Sequence, residues 1–176
     1  MLNKLIVLVV ATAACATAPK TAGGRSDLVA SANTTLVSME RQDSGLSPML
    51  ASSAGYAVFP SIGKGGVVVG GAYGRGVLYQ HGRHVGFVEL NQASIGLQLG
   101  AQTFTELVVF RDQFDIEKLK SGDFSLGGNV SAVVLTTGAA ATTPFVDGVA
   151  VFVIPRGGAM VEASLSGQKI NYVPAG

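Results

Sequence analysis

Cysteine occurs once in this chain, tryptophan not at all and histidine twice. A single thiol cannot close a disulfide within the chain, so the fold must rest on its core rather than on covalent staples. His81 and His84, with Glu89 as the nearest acid, lack the tight spacing of a metal site and read as solvated hairpin residues. Charge is also sparse: Asp, Glu, Lys and Arg make up 13% of the residues, against about 25% in ordinary soluble domains. The 12 basic and 11 acidic residues nearly cancel, and Lys4 is the one charge ahead of Cys15, which leaves the remainder balanced. Without a net field there is nothing to recruit nucleic acid. Catalytic patterns are missing too. There is no Gly-x-Ser-x-Gly elbow, the sole thiol lies near the start, and the carboxylates are scattered through turns and helix. The reading is a protein that is not an enzyme and needs no cofactor or metal.

The glycine-rich residues 63–76 do not make a nucleotide site. Gly65 follows Lys64 where a P-loop needs Ser or Thr, and Val58 stands where its first glycine belongs. A dinucleotide fingerprint would need a helix after the glycines, whereas Val77-Leu78-Tyr79 continues a strand. Gly is nonetheless abundant, 24 of 176 residues. Mixed with Val, Ile and Phe, such glycines mark bulges, tight bends and close backbone approach.

What is present begins at the amino terminus. Asn3 and Lys4 precede an apolar run over residues 5–10, and Ala11-Thr12-Ala13-Ala14 leads into Cys15. This is the pattern of a secretory signal, and the run is too short to cross a bilayer as a helix. A lone cysteine after small residues resembles the lipobox of bacterial lipoproteins, in which that cysteine is acylated and becomes the mature amino terminus. Thr12 departs from it, standing where lipoboxes usually carry Leu. The expected organisation is a signal peptide over 1–14, a lipidated terminus and Pro/Gly-containing linker over 15–24, and one domain over 25–176.

Within that domain, Ser26 is placed to cap a helix with Leu28, Ala32, Leu36 and Met39 at helical spacing. Ser47-Pro48 opens a second, short helix that stops at Gly55. The period then changes to two. Strands are expected over 56–60, 67–80, 84–90 and 94–111, with turns at 61–66, 81–83 and 91–92. In the last of these strands the apolar positions change sides, which predicts a bulge near Thr103. A brief helix over 115–120, a weak strand over 124–136, a loop over 137–144 and strands over 149–154, 158–166 and 169–173 complete the reading. Short turns imply antiparallel pairing. The fold class is therefore mainly β with helices (α+β): an antiparallel, barrel-like sheet with two N-terminal helices packed against it.

Three blocks carry a resemblance: Ala57-Val58-Phe59-Pro60 with Gly63-Lys64-Gly65-Gly66; residues 70–78; and Ser94-Ile95-Gly96-Leu97-Gln98-Leu99-Gly100-Ala101-Gln102. With residues 156–167 as a closing hairpin, the chain from about Leu28 to Tyr172 resembles the SYLF-domain family. The resemblance implies a non-catalytic domain that binds membrane lipids or fatty acyl chains, and bacterial members are commonly lipoproteins. The signal and lipobox-like pattern implies an exported protein anchored through acyl groups on Cys15 in the outer membrane and facing the periplasm, or at the cell surface, since Ala16 rather than Asp follows the cysteine. Lys64 on its glycine turn, and Tyr73 and Arg75 on one face of a strand, are the candidate lipid contacts. Gln98 and Gln102 could line a polar cleft. The rival reading is a structural or protein-interaction module of the cell envelope.

Overall fold

The computed structural model of the protein describes residues 19–66, 69–95, 102–157 and 167–175. The expected signal peptide, Cys15, Gln98 and the expected strand over 158–166 lie outside them. Helix α1 (Ala22–Gln42) is followed by α2 (Leu46–Ser52), β1 (Gly55–Gly66), β2 (Val69–Gln80), β3 (Arg83–Ile95), β4 (Gln102–Phe110), α3 (Gln113–Ser121), β5 (Ala132–Val134), α4 (Ala139–Thr142), β6 (Val149–Gly157) and β7 (Gln168–Pro174). Helix α1 starts earlier than the sequence implies because Thr21, not Ser26, caps it, its hydroxyl accepting from the Gly24 amide at 3.2 Å.

The strands form one seven-stranded sheet in the order β5-β6-β4-β1-β2-β3-β7. Among the described residues the sheet is open, with β5 and β7 at its ends, so their hydrogen-bonded ladder does not close into a barrel. Pairing is antiparallel except between β5 and β6, which run parallel across the α4-containing crossover. The expected turns at 61–66 and 91–92 are strand instead. Lys64 pairs with Ala72 and Gln102, while Asn91 and Gln92 pair with Lys169 and Gln168. Polar and glycine residues there look like turns in sequence but lie in the middle of a ladder, where neighbours on both sides supply the hydrogen bonds. The expected 124–136 strand shrinks to β5 and an isolated bridge between Ser125 and Lys169. The irregularity near Thr103 is present as a register shift between Thr103 and Phe104 in the β4–β6 pair.

Both faces of the sheet are apolar. One buries Val58, Val77, Leu107, Val109 and Phe152 under Ala32 and Met39 of α1, Leu46 and Leu50 of α2, and α4. The other buries Phe59, Ile62, Leu90, Val108, Val151 and Ile170 with Ile116 and Leu119 of α3 and with Phe124, Leu126 and Val130. On this inner face the sheet is strongly coiled. Glu106 of β4 and Gln168 of β7 have three strands between them, which would separate them by about 19 Å in a flat sheet. Their side chains instead meet at 3.4 Å.

Proline in the central strand β1 is tolerated at a bulge. Pro60 sits where the register shifts toward both neighbours, so no ladder bond needs its missing N–H, and its carbonyl accepts from the Thr105 hydroxyl at 3.0 Å. The strand opposite has no room there. A Cβ on Gly76 would lie 2.5 Å from the Val58 carbonyl oxygen and 2.8 Å from the Phe59 ring. Gly76→Ala should therefore destabilise the protein by about 2–3 kcal/mol, since a backbone oxygen cannot swing aside. Gly63→Ala, whose Cβ meets nothing within 4 Å, should change stability by less than ~0.5 kcal/mol. Urea denaturation of the two variants checks the contrast, and equal losses would refute it.

Candidate functional site

The first turns of α1 are tied down by Arg25. Its guanidinium donates to the Pro19 carbonyl at 3.0 Å and to the Ala175 carbonyl at 2.7 Å, and it lies 5.3 Å from the centroid of the Phe87 ring. One side chain thus joins the segment before α1, the residue after β7 and a buried ring of β3. The arrangement follows from sequence locally: Thr21 caps the helix, and a residue four positions on points back along it toward that segment.

Beside Arg25 opens a cleft of about 740 Å³ lined by Lys20, Arg25, Val29, Asn33, His84 and Phe87, with small residues of α1 between them. Its walls are of two kinds. Val29 and Phe87 give an apolar part of the lining; Lys20 and Arg25 give positive charge, and no carboxylate stands among its described lining residues. Helix α1 also has no acidic residue in its first turn, so the partial positive charge of its amino end adds to theirs. Asn33 is held in place by the Tyr79 hydroxyl, which donates to Asn33 Oδ1 at 2.6 Å. Burial, with the neighbouring Tyr56 phenol, pushes the Tyr79 pKa up to about 12, so this donor keeps its proton. His84 packs edge-on to Phe87 at 4.9 Å, and its Nε2 is buried with no hydrogen-bond partner among the described residues. It is half-buried in the wall of the cleft rather than the solvated hairpin residue expected from sequence; His81 is exposed.

The residues singled out by sequence divide between the two faces of the sheet. Tyr73 and Arg75 are exposed and lie on the helix-covered face with Val77 and Tyr79. Arg75 stands across β2–β3 from Glu89, and lines a second depression of about 510 Å³ with Pro19, Thr21, Gly24, Asp27 and Leu28. Arg75 therefore flanks the same end of α1 as the cleft, although Asp27 and Glu89 temper its charge. Lys64 is elsewhere. It pairs with Ala72 of the inner core, so it occupies the opposite face from Arg75, and it is buried rather than projecting from a turn. The structure does not bring Lys64 together with Tyr73 and Arg75.

The inner face holds a second polar group that sequence reading did not pick out. Glu106, Gln92 and Gln168 are buried on the same face as Lys64. Glu106 is completely buried between Phe59 and Val153 in the ladder, and burial raises its pKa from 4.5 to about 8, with the Gln168 amide pulling the other way. Glu106 Oε1 and Gln168 Oε1 each lack a partner among the described residues. A signal was present in the sequence: Glu106 occupies an even position in the run Phe104, Val108, Phe110, which is an acid on the buried side of an alternating strand.

Among the described residues, no three His, Cys, Asp or Glu side chains group so as to hold a metal ion, and no helix is long and apolar enough to cross a membrane. In comparisons with known proteins, no family model matches the chain and no curated protein matches it.

Proposed function

We propose that this is an exported, acyl-anchored domain that binds membrane lipids without transforming them. The carrying observation is the cleft at the start of α1, lined by the cations Lys20 and Arg25 and by apolar Val29 and Phe87, with no carboxylate among its described walls. An anionic headgroup would meet Lys20 and Arg25, and the first methylenes below it would cover Phe87 and Val29. Each cation near an anionic surface contributes about 1 kcal/mol, and apolar burial adds ~25 cal/mol per Å² removed from water. Position supports the reading as well. Lys20 lies five residues after Cys15, a span of at most about 18 Å, so acyl chains on that cysteine would keep the cleft close to a leaflet. The resemblance to SYLF domains agrees with a lipid ligand. The coiled sheet, with α3 and residues 124–130 filling its open side, is in this reading an incomplete, barrel-like scaffold for the cleft. The anchor would lie in the outer membrane, facing the periplasm.

Flotation with phosphatidylglycerol-containing vesicles, using signal-deleted Cys15→Ala protein, tests the cleft apart from the anchor. Binding is expected, and Lys20→Glu should weaken it about tenfold, two charge units being worth roughly 1.4 kcal/mol or more at an anionic surface. Lys20 is exposed, so the substitution should leave the fold intact. Protein that stays in solution with every lipid class, or a Lys20→Glu variant that binds as the parent does, would overturn the proposal.

A further inference from the structure

The pair inside the coiled sheet has an arrangement that a proton completes. Gln168 Nε2 donates to Glu106 Oε2 at 3.4 Å, a long bond, while the remaining oxygen on each side chain is buried and unpartnered among the described residues. A carboxylate has no hydrogen to offer the Gln168 oxygen; a carboxylic acid has one. With a proton on Oε1, acid and amide can exchange two hydrogen bonds, and both orphan acceptors find a use.

We propose that Glu106 is held as a neutral acid, and that its pair with Gln168 is a proton-dependent latch that keeps edge strand β7 in the sheet and thereby shapes the cleft at the other end of β7. The second half rests on the lipid-binding reading of that cleft; the first does not. Gln168 begins β7, and its carbonyl also accepts from the Leu126 amide at 2.9 Å. The same strand runs to Pro174, and the next residue, Ala175, accepts from Arg25 and lines the cleft. Losing the proton puts a bare carboxylate among apolar neighbours, and the cheapest relief is to part β7 from β4 and admit water. Among the described residues edge strand β7 has one full ladder partner, β3, whereas β4 is held on both sides.

The groups facing Glu106 are few. In the ladder it stands between Phe59 of β1 and Val153 of β6, and across the interior it meets Gln168 of β7. Titratable or charged residues on the same face are Lys64 of β1, Tyr172 of β7 and, from α3, Asp115, which packs against Gly148. From β2 and β3 the inner face presents apolar side chains, glycine and Gln92.

Amide hydrogen exchange of the full chain at about pH 6 and about pH 9, corrected for the intrinsic rate, tests the latch. Protection of β7 should fall roughly tenfold more than that of β1 and β4, the ratio set by one pH unit above the titration point. Glu106→Gln, which can exchange two amide hydrogen bonds with Gln168 at any pH, should abolish the difference. Gln168→Met removes the pair but leaves the acid, and should give β7 low protection at both pH values. An equal fall in wild type and Glu106→Gln, or none in wild type, overturns the latch. Flotation with phosphatidylglycerol vesicles at the same two pH values reads the cleft. Binding that weakens at high pH in wild type but not in Glu106→Gln supports the coupling, and binding that is flat in both overturns it. Absence of binding at either pH overturns the lipid reading and with it the coupling to the cleft, while the exchange result still decides the latch.

Discussion

Replacing Asp43 with alanine is expected to remove about 3–5 kcal/mol of folding stability, the largest loss from any single polar side chain of the described residues. Asp43 follows α1 and is nearly fully buried. Its carboxylate accepts from three backbone amides: Gly45 at 3.0 Å and Gly138 at 3.2 Å on Oδ1, and Ala140 at 2.7 Å on Oδ2. One side chain thereby fastens the α1–α2 corner to the amino end of α4, some ninety-five residues further along the chain. Alanine would leave those amides without their acceptor at about 1–3 kcal/mol each, partly relieved by water at the corner. Asparagine keeps one acceptor oxygen and should recover about half of the loss. The pH dependence has a definite sign. Burial by itself would raise the pKa of Asp43, but the three amides outweigh it and hold the group below 3.8. A depressed pKa gives stability that is present above the unfolded value and drains away as pH falls through the folded one. Urea midpoints at acid and neutral pH should therefore converge between wild type and Asp43→Ala on acidification. A gap between the two that stays constant with pH would refute this account.

Much of the sheet was legible because its signals are local. Alternation over 104–110, two-residue turns such as His81-Gly82, and the change of side near Thr103 each report a strand's own pleat and need no knowledge of its neighbours. What failed was anything decided by the far side of the chain. Ser61 to Gly66 and Asn91-Gln92 have turn composition, yet the strands on either side hold them extended. Equally invisible was the docking of Ser125 and Leu126 beside β7, since no local pattern reports it. The site shows the same division. The strand face of Arg75 was legible from its alternation with Tyr73 and Val77, and the structure puts it beside the start of α1. Arg25, the first residue of the expected domain, carried no local signal, because its partners Phe87 and Ala175 lie 62 and 150 residues away. Lys64 was assigned to a turn by its glycine neighbours and is buried by the coil of the sheet.

Raising the pH from about 5 to about 8 should weaken wild-type protein by up to ~1.4 kcal/mol per pH unit through Glu106 alone, several kcal/mol over the whole range. The sign runs opposite to that of Asp43. Burial lifts the Glu106 pKa from 4.5 to about 8, so the folded state holds a proton across that window which the unfolded state has released. Stability is then fully present below 4.5 and is lost as pH climbs toward 8. Glu106→Gln removes the proton linkage while keeping shape and hydrogen-bonding capacity. Its urea midpoint should be nearly flat over this range, meet that of wild type near pH 5 and exceed it by about 2–4 kcal/mol near pH 8. Parallel curves for the two proteins would show that Glu106 keeps its charge in the folded state. Asp43 loses its contribution in acid and Glu106 loses its own toward neutrality, so the two carboxylates bound a stability maximum from opposite sides. The maximum should move to higher pH in Glu106→Gln, because only the acid-side term then remains of the pair. Such a shift separates titration of one buried carboxyl from any general effect of net charge. One unit of net charge is screened by salt within about a Debye length of the surface, whereas Glu106→Gln removes a buried group whose ionisation the fold opposes.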